Sequence, residues 1–127
     1  MTVIRVLTLK AYWLLIVFHF YLARGNFATL HDKVGRCPVA PQGRSRFAID
    51  DICRAMDLAC IWYPQEVLCL QRSAATTCLL RRFGFSARLI VGARPMPFQA
   101  HAWVEVNGEV VNDKPYIPKM YAVLDRY

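Results

Sequence analysis

The stretch QAHAWVEVNGEVVND, residues 99–113, decides how the rest of the chain is read. Ala102, Val104 and Val106 alternate with Trp103 and Glu105, the two-residue period of a half-buried strand. Asn107-Gly108 is a strong signal for a two-residue hairpin turn. HAWVEV and EVVND therefore read as neighbouring antiparallel strands, with His101 opening the first and Asp113 closing the second. An imidazole and a carboxylate brought together across a hairpin are unusual choices for a plain solvent face.

Upstream, FSARLIVGAR reads as another strand, from about residue 85 to 93. CLQRSAATTCLLRRFG, residues 69–84, has apolar or small residues at 70, 74, 75, 78, 79 and 83, the pattern of a largely buried helix. Gly84 is its natural stop, and Arg81 and Arg82 suit the negative end of its dipole. Arg72, Arg81 and Arg82 read as a solvated helix face. AIDDICRAMDLACIW is apolar at 49, 52, 53, 56, 59 and 60, again helical, with Asp50 and Asp51 in the first turn. Tyr63-Pro64 ends it, because the residue before proline is pushed out of the α region.

Residues 3–23 read as a helix stopped by Gly25 and Asn26, and residues 27–33 as a short second helix. GRCPVAPQGRSR, residues 35–46, is the best loop in the chain. Helices followed by an antiparallel sheet make the fold class α+β. The chain divides into an N-terminal hydrophobic helical segment (1–34), a loop (35–48) and a core (49–127), within one compact domain of 127 residues.

Composition narrows the function. The chain is 56% hydrophobic, which excludes disorder over most of its length. Its net charge of +7, from 16 Lys and Arg against 9 Asp and Glu, favours an anionic or acidic partner. No nucleic-acid-binding signature accompanies that charge, so nucleic acid is not expected as a partner. Five cysteines, at 37, 53, 60, 69 and 78, are odd in number and form no C-x-x-C pair. They predict reduced thiols in a cytoplasmic protein, not a disulfide framework or a metal site. Cys53, Cys60 and Cys78 are expected to face the core, and His19 and His31 to be structural or exposed. AYWLLIVFHFYLA, residues 11–23, is thirteen residues long. A spanning helix needs about 20 apolar residues, so a helix packed on the protein or a partner is expected, with peripheral membrane contact open.

Cys69 sits where the central helix begins, and the dipole and exposed amides there stabilise a thiolate. An imidazole that takes the thiol proton, held in orientation by an acid, completes a nucleophilic site. Cys69, His101 and Asp113 are the candidates. The Cys69 backbone amide is the candidate oxyanion donor, with Gln65 as a second. Trp103 and Glu105 are candidate substrate contacts, although the favoured reading is that Trp103 packs and Glu105 braces the sheet.

CLQRSAATTCLLRRFGFSARLIVGAR and PFQAHAWVEVNGEVVND together resemble the lasso-peptide biosynthesis B proteins. The matching features are the Cys-Leu-x-x-Ser helix opening, the Leu-Leu-Arg-Arg-x-Gly exit, the ARLIVGAR strand and the HAWVEVNG hairpin, within residues 64–113. SAATT departs from the family's bulkier run but touches no triad position. The resemblance implies a transglutaminase-like cysteine peptidase core, with a nucleophile-bearing helix packed on a small antiparallel sheet. It implies Cys69 as nucleophile, His101 as base and Asp113 as orienting acid, with no cofactor. The implied reaction removes the leader from a ribosomally made precursor peptide. No region reads as a leader-binding winged helix, so the split form is expected, acting with a separate leader-recognition protein and alongside an ATP-dependent lasso cyclase. The 11–23 helix and the basic GRSR at 43–46 are candidate docking surfaces. The rival readings are acyl transfer to an amine and a non-catalytic scaffold of the same fold.

Overall fold

The computed structural model describes residues 2–25, 27–41, 47–95 and 97–127. Asn26 and the GRSR segment lie outside these. Four helices come first: α1 (Thr2–Ala23), α2 (Phe27–Arg36), α3 (Ile49–Trp62) and α4 (Cys69–Arg82). Strands β1 (Ala87–Pro95), β2 (Phe98–Val106) and β3 (Glu109–Val110), the short helix α5 (Ile117–Met120) and strand β4 (Ala122–Arg126) follow. The four strands form one antiparallel sheet in the order β3-β2-β1-β4. The arrangement is α+β.

The elements end for local reasons. Gly25 and Gly84 adopt φ of 67° and 91°, the left-handed region that an ordinary side chain avoids, and turn the chain out of α1 and α4. Tyr63, ahead of Pro64, is extended and closes α3. Asn107 and Gly108 both have positive φ, 53° and 81°, the pair of values a type I′ hairpin needs.

The main core lies between the helices and one sheet face. Leu14, Leu15 and Phe18 of α1, Ile52 and Met56 of α3, Ala75 and Leu79 of α4, and Leu89 and Val104 of the sheet belong to one buried cluster. The N-terminal helix is thus part of the core. A second cluster, Ile90, Trp103, Ile117 and Tyr121, covers the other sheet face.

Several expectations are corrected. His101 is the fourth residue of β2, which begins at Phe98. The returning strand holds only Glu109 and Val110, so Asp113 lies beyond it. There the Val111 N–H still donates to the Val104 carbonyl at 3.0 Å, while the Val104 N–H is taken by the Asn112 side chain, whose Oδ1 accepts it at 2.8 Å. β1 spans 87–95, α2 continues to Arg36, and α5 and β4 were not foreseen.

Cys37 and Cys78 are joined as a disulfide with Cα atoms 5.7 Å apart, tying the end of α2 to α4, so Cys78 is not a lone core thiol. The packing of α2 on α4 brings the two together, a long-range meeting that cysteine spacing does not encode. Cys53, Cys60 and Cys69 are free, and the first two are only half-buried. Arg81 is no solvated cation: it is buried, because its long side chain folds back into the gap between α2, β1 and β4. Its Nε donates to the Ala87 carbonyl (2.9 Å), and its terminal nitrogens donate to the carbonyls of Val34, Cys37 and Tyr127. Arg72 pairs with Asp57 of α3.

Candidate active site

Cys69 is the first residue of α4 and is exposed. Leu68 offers no side-chain cap and the first turn holds no acidic residue, so the positive end of the dipole meets the thiol unopposed. The first intrahelical bond runs from Arg72 N–H to the Leu68 carbonyl, at 2.9 Å.

The position of α4 is fixed by the two buried polar side chains that follow Cys69. Gln71 donates through Nε2 to the Leu15 carbonyl of α1 at 2.9 Å. Ser73, one turn beyond Cys69 on the same helix face, donates through Oγ to the Ala102 carbonyl of β2 at 3.1 Å. Asn112 Nδ2 donates back to Ser73 Oγ at 3.1 Å. Ala102 adjoins His101 and Asn112 adjoins Asp113, so one serine ties the helix that Cys69 opens to the neighbours of both His101 and Asp113. Sequence reading gave Ser73 only as part of the Cys-Leu-x-x-Ser opening and missed its role and Asn112, because nothing in their spacing shows that their partners lie across the fold.

His101 and Asp113 meet directly. His101 Nε2 lies 2.6 Å from Asp113 Oδ2, and Asp113 Oδ1 accepts the Lys114 N–H at 2.8 Å. A carboxylate only accepts, so Nε2 is the donor in this contact, and in the neutral ring the lone pair falls to Nδ1. The His101 ring shares its sheet face with Trp103 and Tyr121, at centroid distances of 6.1 and 5.4 Å. Among the described residues the Cys69 thiol has no hydrogen-bond partner, so the structure joins His101 to Asp113 but does not bond the thiol to the ring.

Trp103 is fully buried, which removes it as a substrate contact. Its Nε1 donates to Glu105 at 2.9 Å, so Glu105 braces the indole. The space for that indole comes from Gly92, paired with His101 across the sheet. A Cβ at Gly92 would lie 2.8 and 2.9 Å from the Trp103 ring. Gly92 is a further residue the sequence did not single out.

Beside the nucleophile is a concavity of about 400 Å³ lined by His19, Leu22, Gln65, Glu66, Leu68 and Gln71. Gln65 is exposed there, four residues before Cys69. Burial, ahead of neighbouring charges, pushes the Cys53 thiol up to about 11 and raises Cys60 as well. Both thiols are therefore poor nucleophiles beside the exposed Cys69. Among the described residues no cluster of three His, Cys, Asp or Glu could hold a metal ion.

An exposed cysteine opens a helix, and a histidine on an antiparallel sheet meets an aspartate just beyond its hairpin. The chain belongs to the transglutaminase-like superfamily, whose family model matches residues 12–126. Within that class it is similar to the Escherichia coli protein described as microcin J25-processing protein McjB, at 39% identity over 56 residues. The matching part covers 44% of this chain and 27% of the relative. These two matches support a lasso-peptide biosynthesis B protein. No solved structure matches.

Proposed function

We propose that the chain is a cysteine peptidase that removes the leader from a lasso-peptide precursor. The observation that carries this reading is the His101–Asp113 pair, which leaves Nδ1 free on a strand tied through Ser73 to the helix that Cys69 opens. Nδ1 takes the Cys69 proton as substrate binding draws the ring and thiol together; catalytic hydrogen bonds are commonly loose before substrate arrives. The thiolate attacks the scissile carbonyl. The Cys69 amide, with Gln65 as a second donor, holds the oxyanion, each donor contributing roughly 3 kcal/mol. The imidazolium protonates the leaving amine, and water, deprotonated by Nδ1, then cleaves the thioester. Asp113 keeps the ring in the productive tautomer throughout.

The concavity beside Leu68 receives a substrate side chain next to the scissile bond. A separate leader-recognition protein delivers the precursor, and an ATP-dependent cyclase closes the ring afterwards. The test is mass spectrometry of precursor incubated with the protein and the leader-binding partner. Leader and core whose masses sum to precursor plus one water support hydrolysis, whereas core joined to an added amine indicates acyl transfer. Cys69→Ala is expected to abolish cleavage with helix content unchanged. Cleavage by that variant at the wild-type rate overturns the reading.

A further inference from the structure

One face of α1 packs into the core through Leu7, Ala11, Leu14, Leu15 and Phe18. The opposite face is equally apolar but uncovered: Val6, Leu9, Trp13 and Phe20 are 47, 71, 60 and 58% exposed. Their spacing of three, four and seven residues keeps them on one stripe, with half-buried Ile16 and Val17 filling its middle. The stripe runs for about 21 Å at 1.5 Å per residue. Continuous exposed apolar surface of this kind marks an interaction site.

Charge identifies the occupant. Residues 2–25 contain no Asp or Glu, while Arg5, Lys10 and Arg24 are all exposed. Arg5 and Lys10 lie on the two edges of the stripe and Arg24 at its far end. A shallow concavity of about 330 Å³ between Val17, Phe20, Tyr21 and Arg24 sets a guanidinium beside apolar walls. A phosphate with methylenes attached asks for that pairing. Ile4–Ala23 is long and apolar enough to cross a membrane. Its buried face, however, is held by α3 and α4, and Gln71 is bonded to its Leu15 carbonyl. A helix with one face in protein, an apolar stripe outward and cations along the rim suits the interface plane of a bilayer.

We infer that α1 docks the folded protein on an anionic phospholipid surface, with Leu9, Trp13 and Phe20 entering the headgroup–acyl boundary and Arg5, Lys10 and Arg24 contacting lipid phosphates. This does not depend on the peptidase reading, because no catalytic candidate lies on the stripe.

The test is co-sedimentation with vesicles of phosphatidylcholine alone and of phosphatidylcholine mixed with phosphatidylglycerol. Wild type is expected to pellet with the mixed vesicles and to be released by salt. In a Trp62→Phe background, Trp13 emission is expected to shift to the blue on binding. Trp13→Glu should weaken partitioning at least tenfold, and each of Arg5→Gln, Lys10→Gln and Arg24→Gln about fivefold. These positions are exposed, so circular dichroism should stay unchanged. Leu124→Glu, an exposed apolar position on β4, should partition as wild type does. Wild type left in the supernatant with both vesicle types overturns the inference, as does binding that Trp13→Glu leaves intact. A wild-type dimer that binds no vesicles and becomes monomeric in Trp13→Glu also overturns it, assigning the stripe to a second copy of the chain.

Discussion

Replacing Arg81 by methionine keeps much of the side chain's length and removes its donors. The guanidinium bonds four backbone carbonyls, and the bonds to Ala87 and Val34 are fully buried. Burial, and after it the charge of Arg88, draws this guanidinium below its usual pKa, so holding the cation has a cost of its own. A buried carbonyl left without a donor costs about 1–3 kcal/mol. Ala87 is left so, whereas Val34 keeps the Cys37 N–H at 3.2 Å; less the relief of the cation's desolvation, the loss is about 1–3 kcal/mol. That is a large fraction of the 5–15 kcal/mol that holds a domain of ordinary stability together. At roughly 3–5 °C per kcal/mol for a chain of this size, the melting temperature should fall by about 5–10 °C. Urea denaturation followed by circular dichroism measures the change, with exposed Arg82→Met as the control. If Arg81→Met unfolds within about 0.5 kcal/mol of that control, the four-carbonyl clasp does not contribute as described.

The site makes three further predictions. Asp113→Asn exchanges a charge-assisted bond for a neutral one and should slow leader cleavage about tenfold, and Asp113→Ala by about 10–100-fold, with residual turnover in both; wild-type rates in the alanine variant would remove Asp113 from the site. Gly92→Ala drives a methyl into the Trp103 ring and the Tyr121 Cβ, and should lower stability by about 1–3 kcal/mol while reducing cleavage by displacing the indole beneath His101; an unchanged melting curve would refute this. Because its pKa of about 11 keeps Cys53 protonated at pH 8, with thiolate on the order of one part in a thousand, iodoacetamide should label Cys69 well before Cys53, as peptide mapping would show.

Much of this architecture is visible in local pattern. The hairpin follows from Asn107-Gly108, and the limits of α3 and α4 from Pro64 and Gly84, because each of these residues restricts its own backbone. The approach of His101 to Asp113 follows from the hairpin, since a tight turn leaves residues on either side within reach. What escaped is long-range. β4 is five residues with too little alternation to distinguish it from a loop, and only its pairing with β1 defines it. Arg81 occupies the last helical turn, where arginines ordinarily reach water, and its carbonyl partners come from three places, the end of α2, the start of β1 and Tyr127. Cys37 and Cys78 are 41 residues apart, and only the packing of α2 on α4 makes them neighbours. Asn112 completes a strand through its side chain, a role that composition does not reveal.

The fastening of α4 bears on how the protein can be cut. Its start is sewn on one side to α1 through Gln71 and on the other to the sheet through Ser73. A shortened chain beginning at residue 49 would keep Cys69, His101 and Asp113. It would lose the acceptor at Leu15 that seats Gln71, two positions after Cys69, and would bare the helix's apolar flank. Minimisation by trimming, or grafting the latter half onto another scaffold, therefore has to carry the first helix along as a second chain or a fused segment.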